Sequence, residues 1–179
     1  MADSRITKRA LAESLKELMI KEDFNKISVA DICNQCGMNR KSFYYHFKDK
    51  YDLVNWIFDI EFLSMVSMKT QKDSWELLEE MCMYFYENKK FYRSALKIEG
   101  QNSFKEHFNE LLIPIVEEYI KEVLGEEESM DFYVDFCKDA FVGALQRWIM
   151  DKKDMEPHTF LNLLKKCIHI IAVRDKEWN

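Results

Sequence analysis

Glycine and proline are nearly missing from this chain: four Gly and two Pro in 179 residues. A chain with so few breakers has few places to turn, and it folds most simply as helices joined by short connections. Ten Met residues push the same way, because unbranched side chains lose little rotamer freedom in a helix. Apolar residues recur at three- and four-residue intervals, and no stretch alternates as a half-buried strand would. The expected fold class is all-α, with about nine helices.

Composition then narrows the classes. No apolar run reaches the ~18 residues of a membrane span, so no membrane partner is expected. Met1-Ala2-Asp3-Ser4-Arg5 lacks the basic-then-apolar order of a signal peptide, and a cytoplasmic protein is expected. The five cysteines are an odd number at irregular spacing, which argues against a disulfide framework. The net charge of −6 is unevenly spread. Residues 1–50 hold 10 Lys/Arg against 7 Asp/Glu, and residues 51–179 hold 16 against 25. A basic head of residues 1–50 on an acidic body of residues 51–179 suits a protein that touches DNA at one end.

The head has strong local punctuation. Helix 1 is expected to start at Ser4 as N-cap. It carries Ile6, Ala10, Leu11, Leu15, Leu18 and Met19 as one apolar stripe. Asp23-Phe24-Asn25-Lys26 breaks the pattern. Ser28 caps a short second helix, with Asp31 in the carboxylate position of a capping box. Gly37 stops that helix in a left-handed conformation, and Asn39 caps a third helix running through Phe47. A fourth starts near Asp49 and is expected to end near 69–73. Further helices are expected at 74–88, 89–98, 102–124, 129–152 and 157–173, jointed at Gly100, at 125–128 and at Pro157.

Helix, glycine turn, helix is the plan of a helix-turn-helix, whose second helix enters the DNA major groove. Phe43 and Phe47 fall at i,i+4 and are expected to point into a small core with Ile27, Ile32 and Met38. Arg40, Lys41, Ser42, Tyr44, Tyr45 and His46 cover the rest of that helix. From Asn39 to Lys48 there is no acidic residue, a surface suited to phosphates and base edges. Lys50, at the entry to the next helix, is expected to clamp a phosphate.

Three segments carry a family resemblance: Ile27-Ser28-Val29-Ala30-Asp31-Ile32, Cys36-Gly37-Met38-Asn39-Arg40, and Ser42-Phe43-Tyr44-Tyr45-His46-Phe47 continuing to Leu53. Over residues 6–53 the chain resembles the head of tetracycline-repressor (TetR) family regulators. The resemblance implies an all-α homodimer that binds a palindromic double-stranded DNA operator. It further implies that an effector bound to the body changes the spacing of the two heads. By the same resemblance Ser28, Tyr45, His46 and Lys50 would meet phosphates, and Asn39, Arg40, Lys41, Ser42 and Tyr44 would face the groove. Lys41 stands where the family often has Gly, and Cys33 and Cys36 stand where it usually has Ala. The segments 85–93 and 98–104 are similar to a branch that includes the activator of dihydroxyacetone kinase operons, in which a partner protein can deliver the signal.

In the body, Trp56, Phe85, Phe104 and Phe108 are candidates for a pocket that takes a small apolar effector, with ordinary core packing as the alternative. The last two helices are apolar beyond one face. Phe136, Ala140, Gly143 and Ala144 on the first, with Leu164 and Ile168 on the second, are the candidate dimer interface. Cys33 and Cys36 have the spacing of half a zinc site but no second pair, so neither a metal nor another cofactor is expected. No Gly-rich phosphate loop, HExxH or nucleophile beside a His supports an enzyme. An interaction module that has lost DNA binding stays open as the alternative function.

Overall fold

The structure, a computed structural model, describes residues 2–63, 74–98, 103–126 and 128–174. Among them are nine α-helices and no strand. The head comprises α1 (Ala2–Lys21), a 3₁₀ turn (Phe24–Lys26), α2 (Val29–Gln35) and α3 (Arg40–His46). Helix α4 (Lys50–Phe58) runs on as a π-helical segment, Asp59–Leu63. The body continues with α5 (Ser74–Glu87), α6 (Lys89–Ala95), α7 (Phe104–Leu124), α8 (Met130–Met150) and α9 (Pro157–Arg174). Gly100, Glu127, the expected end of the fourth helix near 69–73 and the side chains of Ile168 and Ile171 lie outside the described residues.

Local chemistry explains the head. The Ser28 hydroxyl accepts from the Asp31 N–H at 3.2 Å, and the Asp31 carboxylate accepts from the Ser28 N–H at 2.8 Å, a complete capping box. Gly37 has φ +66°, a conformation that disfavours any residue with a Cβ. Around it the Met38 N–H donates to Cys33 O at 2.8 Å and the Gly37 N–H to Asn34 O at 3.3 Å, the paired bonds of a Schellman stop. Asn39 Oδ1 then accepts from the Ser42 N–H at 2.9 Å and opens α3. Asp49 Oδ1 accepts from the N–H groups of Tyr51 and Asp52 and opens α4.

Packing makes one core that is continuous from Leu11 in the head to Phe160 in the body. Helix α1 packs on α2, α3, α4 and α6; α7 and α8 lie along one another; α9 covers α5. Two expectations for α1 need correction. The helix begins at Ala2, so Ser4 stands inside its first turn and is not the cap. Ile6 is not part of the buried stripe and is 65% exposed. Ser4 and Thr7 face α3 at that end, and Ile6, ~100° around the helix from Thr7, turns away. Conversely Phe24, placed in a pattern break, is buried as the anchor of the 3₁₀ turn.

Candidate nucleic-acid interface

Phe43 and Phe47 are both buried, with ring centroids 5.7 Å apart, and they tie α3 to the head core. Their burial turns the opposite side of α3 outward. Tyr45 is 82% exposed and Tyr44 51% exposed. Arg40 and Lys41 are exposed beside them, with Ser42 and His46 half-exposed. The Arg40 guanidinium lies 5.8 Å from the Tyr44 ring centroid, and its bond to the Tyr44 hydroxyl pushes its already high pKa further up. Tyr45 and His46 meet edge to face at 4.8 Å.

A groove of about 480 Å³ runs between this surface and the start of α1, lined by Ser4, Thr7, Asn39, Lys41, Ser42, Tyr45 and His46. Ser4 and Thr7 were missed as site residues. The available signal was two hydroxyls on the first turns of α1 next to Arg5 and Lys8, but their proximity to α3 depends on a helix crossing. The α3–α4 joint is fixed by the Lys48 N–H, which donates to Asp52 Oδ2 at 2.9 Å, so α3 is held at a set angle to the body.

Three predicted contacts are already engaged within the chain. The Ser28 hydroxyl also donates to Asp31 Oδ2 at 2.6 Å, and these bonds hold the Asp31 carboxyl below the usual range. The Asn39 carbonyl oxygen serves the cap of α3. Lys50, expected to clamp a phosphate, is the most fully engaged of the three. Its ammonium donates to Phe24 O at 2.6 Å and Ile27 O at 2.7 Å and lies 4.3 Å from the Phe24 ring centroid. It cross-links the 3₁₀ turn to the start of α4, and burial lowers its pKa.

Of the four expected effector-lining residues three come together and Trp56 stands apart. Phe85, Phe104 and Phe108 are fully buried and pack around Phe58, at centroid distances of 5.9, 5.3 and 5.6 Å. Phe58, absent from the expected set, is the hub of this cluster. A ligand among these rings would have to displace one of them. Trp56 instead rests on Phe47 at 5.6 Å and lines a separate groove of about 370 Å³ with Arg9, Glu13 and Ile60.

On α8, Phe132 and Phe136 are 67% and 55% exposed, Ala140 is exposed, and Gly143 and Ala144 are half-exposed. On α9, Leu163 is 47% exposed, Leu164 is half-buried, and Leu161 is buried within the chain. The cysteines are free, and no cluster of metal-ligand type occurs among the described residues. Cys33 is buried and Cys36 directs its thiol to Ile32 O at 3.4 Å. No helix among the described residues is long and apolar enough to cross a membrane.

A short capped helix, a glycine stop and an exposed, acid-free second helix define a helix-turn-helix DNA-binding protein. Residues 8–57 match the family described as bacterial regulatory proteins, tetR family, and residues 73–170 match its transcriptional regulator C-terminal region. The chain belongs to the TetR family of transcriptional regulators. It is 29% identical over 144 residues to the HTH-type dhaKLM operon transcriptional activator DhaS of Lactococcus lactis, covering 79% of this chain and 74% of that protein. A solved dihydroxyacetone kinase operon activator DhaS superposes with TM-score 0.68 at 20% identity, over 96% of this chain and 97% of that one. A TetR transcriptional regulator from Streptococcus agalactiae superposes with TM-score 0.71 at 21% identity, over 90% and 93%.

Proposed function

We propose that this regulator works as a homodimer that grips a palindromic operator in cytoplasmic double-stranded DNA with one α3 in each major groove. The observation that carries this reading is the outward face of α3, where exposed Arg40, Lys41, Tyr44 and Tyr45 stand in a stretch with no acid. In this reading Arg40, Lys41, Ser42 and Tyr44 address base edges. Tyr45 and His46, with Ser4 and Thr7 across the groove, meet the phosphates. Asn39, Ser28 and Lys50 act mainly by holding the recognition helix in place, since each is already bonded within the head.

Residues 1–50 act as the DNA-binding head and residues 51–179 as the dimerisation and sensing body. The exposed apolar side of α8, with Phe136, Ala140, Gly143 and Ala144, together with Leu164 and Ile168 of α9, joins the two copies. A small effector or a partner protein on the body shifts the spacing of the heads, and it does so only by binding one spacing better than the other. The Lactococcus lactis relative is named as the activator of an operon; by that likeness the target here is an operon promoter.

Selecting genomic fragments on the purified protein and footprinting them tests the reading. The expected footprint is two-fold symmetric, with half-site centres one helical turn, ~34–36 Å, apart. Protection without symmetry overturns the homodimeric arrangement. The absence of any selective fragment favours a module that has lost DNA binding.

A further inference from the structure

A second concentration of positive charge stands where α1 meets the body. A cleft of about 660 Å³ there is lined by Lys16, Lys89, Lys90, Arg93 and Lys152, against only two acids, Glu87 and Asp154. Residues 51–179 carry 16 Lys/Arg against 25 Asp/Glu, so the cleft reverses the sign of the body around it. Cations gathered at close range repel one another unless an anion offsets them. DNA lying on α3 is not placed to be that anion. Lys16 follows Thr7, the nearer groove residue on α1, by nine residues, which puts it ~14 Å along the helix from the α3 groove.

Three of the five cations are held in place. Lys89 pairs with Asp154 and lies over the Tyr86 ring. The Arg93 guanidinium donates to Ile149 O and Asp151 O, both at 2.7 Å, and braces the end of α8. Lys16 donates to Glu61 Oε1 at 2.6 Å. Lys90 and Lys152 are exposed and have no acidic partner among the described residues. The held cations make fixed walls, and the other two add unbalanced charge. Ile20, 58% exposed, gives the cleft an apolar wall as well, and its size is that of a small-molecule site.

Lys16 connects the cleft to the interior. Beyond it, Glu61 Oε2 accepts from the Tyr84 hydroxyl at 2.9 Å, and the Tyr84 and Tyr92 hydroxyls meet at 2.6 Å. This chain of bonds runs from α1 through the π segment to α5 and α6. Burial raises both tyrosine pKa values, so both hydroxyls keep their protons. An anion in the cleft competes with Glu61 for Lys16 and so acts on the contact that seats α1 against the body.

We propose that this cleft binds a small organic anion carrying two or more negative charges, a phosphate ester or a polycarboxylate, and that its occupancy alters how α1 is held. The binding step stands on the cleft alone. The consequence for operator affinity rests on the DNA-binding reading given above.

The test titrates the full-length protein by calorimetry with inorganic pyrophosphate and, in a parallel arm, with citrate, at ionic strength held constant with NaCl. Saturable binding of one anion per chain is expected, and the arm that binds identifies the chemistry. The double variant Lys90→Gln/Lys152→Gln, both at exposed positions, should weaken it roughly tenfold. The charge-matched control Lys26→Gln/Lys105→Gln should leave it unchanged. Non-saturable heats in both arms, or equal loss in the two variants, overturn the site. A hexaglutamate peptide that binds variant-dependently where both small anions fail overturns the small-anion assignment in favour of an acidic protein segment. Operator affinity with and without saturating anion then tests coupling, and an unchanged value overturns the regulatory step. A chain that binds no operator even without anion fails the DNA-binding reading, and the calorimetric result is unaffected by it.

Discussion

Helices α3 and α8 both hold aromatic rings out to solvent, but the neighbours differ. On α3 the rings are Tyr44 and Tyr45, with hydroxyls, set among Arg40, Lys41 and His46. On α8 the most exposed are Phe132 and Phe136, with no polar atom, continuing into Ala140 and Gly143; Tyr133 beside Phe132 is exposed to a lesser degree, at 37%. Water solvates the first surface tolerably because each ring ends in a group that can hydrogen-bond. It solvates the second poorly, at ~25 cal/mol for each Å² of apolar surface left uncovered. An exposed aromatic ring therefore says little by itself about what covers it. On the function proposed above, the company it keeps separates a polyanion from a second apolar helix.

The comparison breaks most visibly at α8. Phe136→Asp sets a charge in the middle of the apolar face. Phe136 is 55% exposed in the single chain, so the variant should fold. It should sediment as a monomer and bind operator only at the non-specific level, roughly 10³-fold weaker. Gly143→Leu probes the same face by bulk. A Cβ there meets only the Arg147 guanidinium, at 3.4 Å, which is the movable end of a long side chain. The protomer therefore has room for a Cβ at this position, and the leucine should cost the dimer ~1–3 kcal/mol through overpacking. A tight dimer with wild-type operator affinity in both variants places the interface elsewhere.

On α3 the expected loss is smaller and selective. Arg40→Ala should cost ~1–3 kcal/mol at one base-pair position and relax discrimination there. Tyr45→Phe should weaken all sequences alike by ~0.5–1.5 kcal/mol, since it removes one hydrogen-bonding hydroxyl. Competition between operator variants reads both. A uniform loss for Arg40→Ala moves that residue to the phosphates.

The same contrast marks what could be read before the structure was known. The Ser28–Asp31 box, the Gly37 stop and the Asn39 and Asp49 caps were legible because each is completed within a few residues of backbone. The all-α class followed from the scarcity of breakers. What escaped depends on how helices cross. Phe58 as the aromatic hub, Trp56 apart from Phe85, and Lys16 bonded to Glu61 across 45 residues are products of packing angles that no local pattern encodes. Lys50 shows the limit most clearly. A lysine at a helix entry beside a DNA-binding surface carries the same letter whether it meets phosphate or the carbonyls of Phe24 and Ile27.

Lys50→Gln separates those two roles. As a brace, Lys50 supplies charged donors to main-chain carbonyls, and its loss should destabilise the fold by ~1–2 kcal/mol in a denaturant titration. The salt dependence of DNA binding should stay as it was. As a phosphate clamp, its loss would leave stability alone and lower the salt slope by about one. The second pattern would return Lys50 to the α3 surface as a DNA contact.

A small, pH-dependent effect is expected where α4 gives way to the π segment. His107 of α7 meets Asp59 Oδ1 at 2.7 Å, and that hydrogen bond raises the imidazole pKa against the opposing effect of burial. A His in the unfolded chain titrates near ~6.5. Because the folded value lies higher, the stabilisation is fully present below ~6.5 and fades as pH rises through the folded value. Asp31, whose carboxyl is shifted down, works in the opposite window: its contribution is complete above ~3.9 and lost only in acid. It is therefore constant wherever His107 varies. The stability gap between wild type and His107→Gln should thus be largest near pH 6, at ~1 kcal/mol, and close towards pH 9. Thermal melts of the two proteins across that range measure it. A gap that stays level would mean that His107 holds Asp59 as a neutral ring and that the contact between α7 and the π segment is not proton-dependent.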